Sequence, residues 1–219
     1  MLNALLECRA LRRPYVLFQM LVVLIALLLS FDALASTASA NGFTLSANCP
    51  PGFEKTEQGR CKLHTLYDQY DSIQNHGVGG LNSSLPPRRD GFTPEQIDLG
   101  RYLFFDPLLS IDGTLSCASC HHPEKGLSDN RARSIGVTGI EVPRSAPSLW
   151  NSAFLTRFFW DGRAATLEEQ LLGPLYDPLE MGNNPANLLA TLNSNAMYQE
   201  LFQTAFAGDA NVITLEQIY

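Results

Sequence analysis

Cys117-Ala118-Ser119-Cys120-His121 decides how this chain is read, because C-x-x-C-H is the spacing by which a protein attaches c-type haem. Two thiols three residues apart reach the two vinyl groups on one edge of a porphyrin. The imidazole that follows, His121, lies under the iron as its proximal ligand. A thioredoxin-like C-x-x-C is the competing reading; the adjoining His and an export signal both count against it. A covalent haem also supplies a large apolar nucleus for short helices, so the expected fold is mainly α: a cytochrome c-like cluster of helices with long loops.

Upstream, Arg9, Arg12 and Arg13 precede an uncharged apolar run from Tyr15 to Leu29. Small residues then offer A-x-A cleavage sites at Ala33-Leu34-Ala35 and Ala38-Ser39-Ala40. This pattern predicts a signal peptide over residues 1–40 and a periplasmic protein. The run is shorter than the roughly 20 residues of a membrane span, and an uncleaved anchor is the lesser reading. The whole chain carries 15 Lys and Arg against 22 Asp and Glu. Without residues 1–40, which hold three Arg and two acids, 12 basic and 20 acidic side chains remain. That acidity argues against nucleic acid and suits a basic protein partner.

Of five cysteines, Cys8 falls in the signal and Cys117 and Cys120 in the haem motif. Cys49 and Cys61 are left, and in an oxidising compartment they are expected to form a disulfide. Residues 41–90 read as an N-terminal extension ending in a Gly- and Pro-rich connector. Within it, apolar positions 63, 66, 67, 70 and 73 predict an amphipathic helix over Lys62–Ile73. From 91 to 219 the chain reads as one haem domain. Thr93-Pro94-Glu95-Gln96 opens a helix that should reach about Phe105. The capping signal Thr166-Leu167-Glu168-Glu169 opens a helix expected to stop at Gly173-Pro174. Further helices are expected over Pro185–Leu192 and Ala196–Phe206. Residues 122–147 read as a long irregular loop over the haem. Thr214-Leu215-Glu216-Gln217 starts a helix that breaks off at Tyr219, so the sequence reads as truncated or as running into a second domain.

The occupant of the second haem face decides function. Met or His there gives an electron carrier; an open position gives peroxide or oxygen chemistry. The candidate sixth ligands are His64, His76, His122, Met181 and Met197. His122 follows the proximal ligand too closely to cross the ring. Met181 either ligates or packs, the commoner fate of Met.

Several motifs then occur in one order: Leu99-Gly100-Arg101-Tyr102-Leu103-Phe104-Phe105-Asp106-Pro107, Ser116 to His121, Ser134-Ile135-Gly136, Phe159-Trp160-Asp161-Gly162-Arg163-Ala164, Glu169-Gln170 and Leu179-Glu180-Met181. In these the chain resembles the N-terminal haem domain of bacterial di-haem cytochrome c peroxidases and the related MauG-like enzymes. The likeness is strong from Leu99 to Asn183 and continues weakly to Tyr219. It implies that His121 is the proximal ligand of the peroxide-reacting haem and that Trp160 lies between two haems as an electron path; a core aromatic is the plainer reading of Trp160, and the two are compatible. Gln170 is implied as a distal-pocket amide, and Glu180 as the acid beside bound peroxide. Asp161 and Arg163 are implied as structural, paired or hydrogen-bonded near the haem propionates. The implied reaction is reduction of hydrogen peroxide to water, with Glu180 moving a proton from the near oxygen to the far one. Burial would raise the Glu180 pKa for that task. One of the two electrons must come from a second haem or a side-chain radical; no second C-x-x-C-H is present, and the second haem is expected in a C-terminal domain.

Two positions depart from the family pattern. Where classical members carry a blocking His, this chain has Val137, so no reductive unmasking is expected. Where an Asn helps bind interdomain calcium, it has Ser145, which leaves calcium the weakest of the implied ligands. The implied electron donor is a small cytochrome c or cupredoxin, and the resemblance allows a homodimer. Two other readings stay open: a MauG-like di-haem oxidase that modifies a partner protein, and a mono-haem electron carrier with Met181 or Met197 as ligand.

Overall fold

The computed structural model describes residues 43–63, 91–207 and 212–219. The chain separates into Met1–Gly42 and Phe43–Tyr219, and all described residues belong to the second unit. His64 and His76, the signal segment and most of the connector lie outside the described residues.

A hairpin opens the described chain. Strands β1 (Phe53–Lys55) and β2 (Cys61–Leu63) pair antiparallel, Phe53 opposite Leu63. Cys49 and Cys61 are joined in a disulfide 12 residues apart in sequence. Lys62 and Leu63, expected to begin a helix, are therefore strand; the remainder of that expected helix lies outside the described residues. The reason is tertiary: Cys61 is held by its disulfide, and its N–H donates to Phe92 O at 2.8 Å. Closing a loop of this size stabilises by about 3 kcal/mol on the chain-entropy account. The Cys49→Ser, Cys61→Ser protein should accordingly lose about 2–4 kcal/mol of unfolding free energy in urea melts followed by circular dichroism.

Helix α1 (Pro94–Phe105) starts where the sequence indicates. Thr93 Oγ1 accepts from Gln96 N–H at 3.2 Å and Gln96 Oε1 accepts from Thr93 N–H at 3.0 Å, a reciprocal cap with Pro at the first position. Asp106 ends it, one carboxylate oxygen taking Leu108 N–H at 2.8 Å and the other the Tyr198 hydroxyl at 2.6 Å. Helix α2 (Cys117–Cys120) is a single turn.

Helix α3 (Leu167–Tyr176) overruns its expected stop, with Pro174 inside it. Proline removes one donor and crowds the previous turn. The turn nevertheless persists, because the following loop caps its carbonyls. Asp177, Met181 and Asn183 N–H groups donate to the Gly173, Pro174 and Leu175 carbonyls at 2.9, 3.1 and 3.0 Å.

Helices α4 (Pro185–Ser194) and α5 (Ala196–Ala205) follow as expected, hinged at Asn195, whose side chain accepts from Met197 and Tyr198 N–H. The core lies between them and α1, with Leu99, Leu188, Leu192, Tyr198 and Phe202 all 2% exposed or less. The last turn, α6 (Leu215–Ile218), is too short to persist alone. Asn193 grips the chain just before it, taking Ile213 N–H at 2.8 Å and donating to Ile213 O at 3.0 Å, while Ile213 fills the core.

Between α2 and α3 the described chain holds 3₁₀ turns at Pro123–Lys125, Val137–Gly139 and Ser152–Phe154 and isolated bridges. The structure is thus mainly α with long loops. Among the described residues no helix is long and apolar enough to cross a membrane.

Candidate functional site

One helical turn places both thiols of the haem motif. Residues three apart share a helix face, so Cys117 and Cys120 project together from α2. Ser116 N–H donates to Ser119 Oγ at 3.0 Å, fixing the entry to the turn. Both cysteines are free thiols. Burial pushes the Cys117 thiol up to about 11. Burial also raises that of Cys120, reinforced by the Asp129 and Glu180 carboxylates.

His121 closes the turn, its N–H donating to Cys117 O at 2.9 Å. Its ring Nδ1 lies 2.9 Å from Leu127 O. A carbonyl only accepts, so Nδ1 carries the proton and Nε2 presents a bare lone pair. The same ring tautomer is what iron requires of an imidazole. His122, an alternative ligand candidate, is committed by its backbone: its N–H donates to Ser128 O, and its carbonyl takes the Lys125 and Leu127 N–H groups.

Across from this turn, residues 134–137 lie against residues 179–181. Val137 N–H donates to Glu180 O at 2.8 Å. Gly136 makes the approach possible: a Cβ there would stand 1.6 Å from Leu179 O and 3.1 Å from Glu180 Cα. Glu180 is half-buried, and its carboxyl is held above its ordinary value by that burial first and by the Asp177 carboxylate second, with Arg163 pulling the other way. Cys120 Sγ lies 3.9 Å from Ile135 O, and the next residue, Gly136, packs on the Leu179–Glu180 backbone, so the attachment turn and the Glu180 segment meet the same loop.

Met181, beside Glu180, is 7% exposed in the main core, its N–H and C=O bonded to Pro174 and Ile111. Its side chain packs in that core. Met197 packs against the same core. Val137 is 3% exposed and faces Gly182, an apolar residue where a blocking His was considered.

The remaining named residues fall on α3 and the loop before it. Gln170 sits partly buried one turn into α3, Glu169 Oε2 having turned back to Ala165 N–H at 2.7 Å. Trp160 is 95% exposed and lies outside the core formed by the described residues. Asp161 and Arg163 pair at 2.8 Å. The Arg163 guanidinium also lies 3.5 Å from the centre of the Phe159 ring, whose far edge faces Gly173 of α3. Ser145 is exposed, and no cluster of three metal-binding side chains occurs among the described residues.

Leu127 and Asp129 were not singled out from sequence, and Ser134 only as part of the Ser134-Ile135-Gly136 motif. Leu127 acts through its carbonyl, which leaves no mark in its residue type. Asp129 and Ser134 are both buried and side by side; against the burial that raises it, hydrogen bonding from the Ser134 hydroxyl and the Arg131 N–H holds the Asp129 carboxyl below its ordinary value. Two free thiols on one helical turn and a ring nitrogen with an available lone pair together fit a covalently attached haem.

Residues 94–219 match the family described as di-haem cytochrome c peroxidase. Methylamine utilization protein MauG of Methylorubrum extorquens is 41% identical over 127 residues, covering 58% of this chain and 36% of its own length. Cytochrome c551 peroxidase of Nitrosomonas europaea is 39% identical over 145 residues, covering 65% of this chain and 42% of its own. Among solved structures, a MauG-like protein associated with microbial copper homeostasis superimposes with a TM-score of 0.56 at 37% identity, covering 64% of this chain and 43% of its own. The diheme peroxidase BthA from Burkholderia thailandensis gives a TM-score of 0.51 at 32% identity, covering 57% of this chain and 35% of its own. The chain thus spans well under half the length of these relatives.

Proposed function

Since the chain belongs to the di-haem cytochrome c peroxidase family, we propose that it is the peroxide-reacting half of a periplasmic c-type haem peroxidase. One observation carries the reading: the loop at residues 135–137 touches both the turn of two free thiols and a metal-ready imidazole and the segment of the half-buried Glu180, whose proton affinity burial raises. When bound, haem supplies a redox-active iron at which hydrogen peroxide is reduced to water.

Cys117 and Cys120 would hold the porphyrin by thioether bonds, and His121 would ligate the iron through Nε2. The Leu127 carbonyl raises the basicity of that ring by accepting its Nδ1 proton. Glu180 would take a proton from one peroxide oxygen and return it to the other, which leaves as the first water; two electrons, drawn from the bound haem and its electron donor, and two protons from solvent would convert the remaining oxygen to the second. Gln170 orients the peroxide by hydrogen bonding. Trp160, open to solvent, offers a path for electrons from a second haem, replenished by a small cytochrome c or cupredoxin; the chain's excess of acids suits a basic donor. Val137, being apolar, would offer a bound iron no ligand from that loop. This apolar residue also favours a second reading, a MauG-like oxidase that modifies a partner protein.

The test is the pH dependence of the reaction between the ferric holoprotein and hydrogen peroxide, by stopped flow. Glu180 works as a base and must be ionised, so the rate falls as pH drops through its pKa. Burial places that fall above the ordinary carboxylate range. Asp177→Asn keeps an acceptor for Leu179 N–H, which Asp177 Oδ1 takes at 2.8 Å, but removes a charge. It should shift the fall to lower pH. A profile flat from pH 4 upward, or a protein inert to peroxide, would end the peroxidase reading. Steady turnover with a reduced donor separates it from the partner-modifying oxidase.

A further inference from the structure

Gly126 and Leu127 both adopt left-handed backbone, with φ of 67° and 57°. Glycine does so freely, whereas a bulky leucine is strained there and stays only where its surroundings over-determine it. Those surroundings are specific. Leu127 N–H donates to His122 O at 2.9 Å, closing the loop on the haem motif. The Ser148 hydroxyl donates to Gly126 O at 2.6 Å, on the peptide that precedes Leu127. The side-chain hydroxyl of Ser128, the residue that follows Leu127, donates to Ala146 O at 2.8 Å. Trp150 N–H donates to Ser148 Oγ at 3.2 Å, and its indole lies over Gly126, 3.8 Å from where a Cβ would stand. Residues 146–150 thus grip both sides of the one carbonyl that meets His121.

We infer that Ser148 and Ser128 are positioning residues for the proximal haem ligand, setting the direction of the His121 ring and its basicity through the Leu127 carbonyl. The inference rests on His121 ligating the iron. Without either hydroxyl the strained turn relaxes, the carbonyl swings away from Nδ1, and the imidazole becomes a weaker donor. Ser148 is exposed, so its loss empties no core position. Peroxide turnover alone would not separate this role from a general loosening; the iron–histidine bond does.

Resonance Raman spectra of the ferrous holoprotein read that bond. The wild type should show an iron–histidine stretching band, Ser148→Ala and Ser128→Ala should each move it to lower frequency, and Ser148→Thr, which keeps the hydroxyl, should restore it. A band unmoved in both alanine variants would overturn the inference while leaving the peroxidase reading intact. Alanine variants that carry no haem would also overturn it, assigning the clasp to attachment instead. A wild type with covalent haem but no such band, or with no haem, would overturn both.

Discussion

Glu180→Gln should slow the reaction of the holoprotein with hydrogen peroxide by about 10²–10⁴-fold, the range for loss of a positioned proton carrier. The amide fills the same space and hydrogen-bonds, but it cannot accept the peroxide proton. Fold stability should not fall with it. The folded protein binds the Glu180 proton more tightly than the unfolded chain does, because burial and Asp177 disfavour the charge. Between the ordinary carboxylate pKa and the raised one, the native state holds more protons, so this group's contribution to stability declines as pH rises through that window. At neutral pH the ionised carboxylate is therefore a burden on the fold. Glu180→Gln should unfold at the same urea concentration as the parent or a higher one. A variant that reacts slowly and also unfolds early would show that Glu180 serves structure and not proton transfer. Reactivity within threefold of the parent would remove it from the chemistry.

Gly136→Ala should damage stability and reactivity together. The added Cβ would stand 1.6 Å from Leu179 O and 2.7 Å from Leu179 C, both backbone atoms, so no side-chain rotation relieves the clash. The Val137–Glu180 hydrogen bond must lengthen and the Glu180 segment must move out. Overpacking of this kind costs about 1–3 kcal/mol or more, and a 1 Å displacement of a reacting group costs on the order of 10²-fold in rate. Gly100→Ala is the matching control, since a Cβ on that exposed face of α1 meets nothing within 4 Å. There alanine should stabilise by about 0.5–1 kcal/mol through helix propensity alone. If Gly136→Ala behaved like Gly100→Ala in urea melts and peroxide kinetics, the close approach would have no consequence.

What could be read from the sequence was mostly what is local. The Thr93–Gln96 cap is built from atoms three residues apart, and the attachment turn from five consecutive residues, so pattern and structure coincide there. The end of α3 was misread because Gly173-Pro174 is a local stop signal, while the donors that override it come from Asp177, Met181 and Asn183. The same loop settles Met181, whose backbone bonds to Pro174 and Ile111 turn it into the core. Leu63 was misassigned because its apolar spacing suits a helix and says nothing of Phe53, the strand partner opposite it, or of the disulfide that holds Cys61 two residues earlier. Glu180 was found through its family motif, but its raised proton affinity depends on burial and on Asp177 and Arg163. Least visible was Leu127, where the working atom is a carbonyl that every residue type carries.

The chain has two tryptophans, Trp150 at 69% exposure and Trp160 at 95%. Their indoles already meet water in the native state, so unfolding the haem-free chain scarcely changes their surroundings. Ultraviolet emission would stay near its solvated wavelength throughout a melt and give a false picture of inertness. The same trait makes Trp160 a sensitive optical reporter of anything that comes to rest against it.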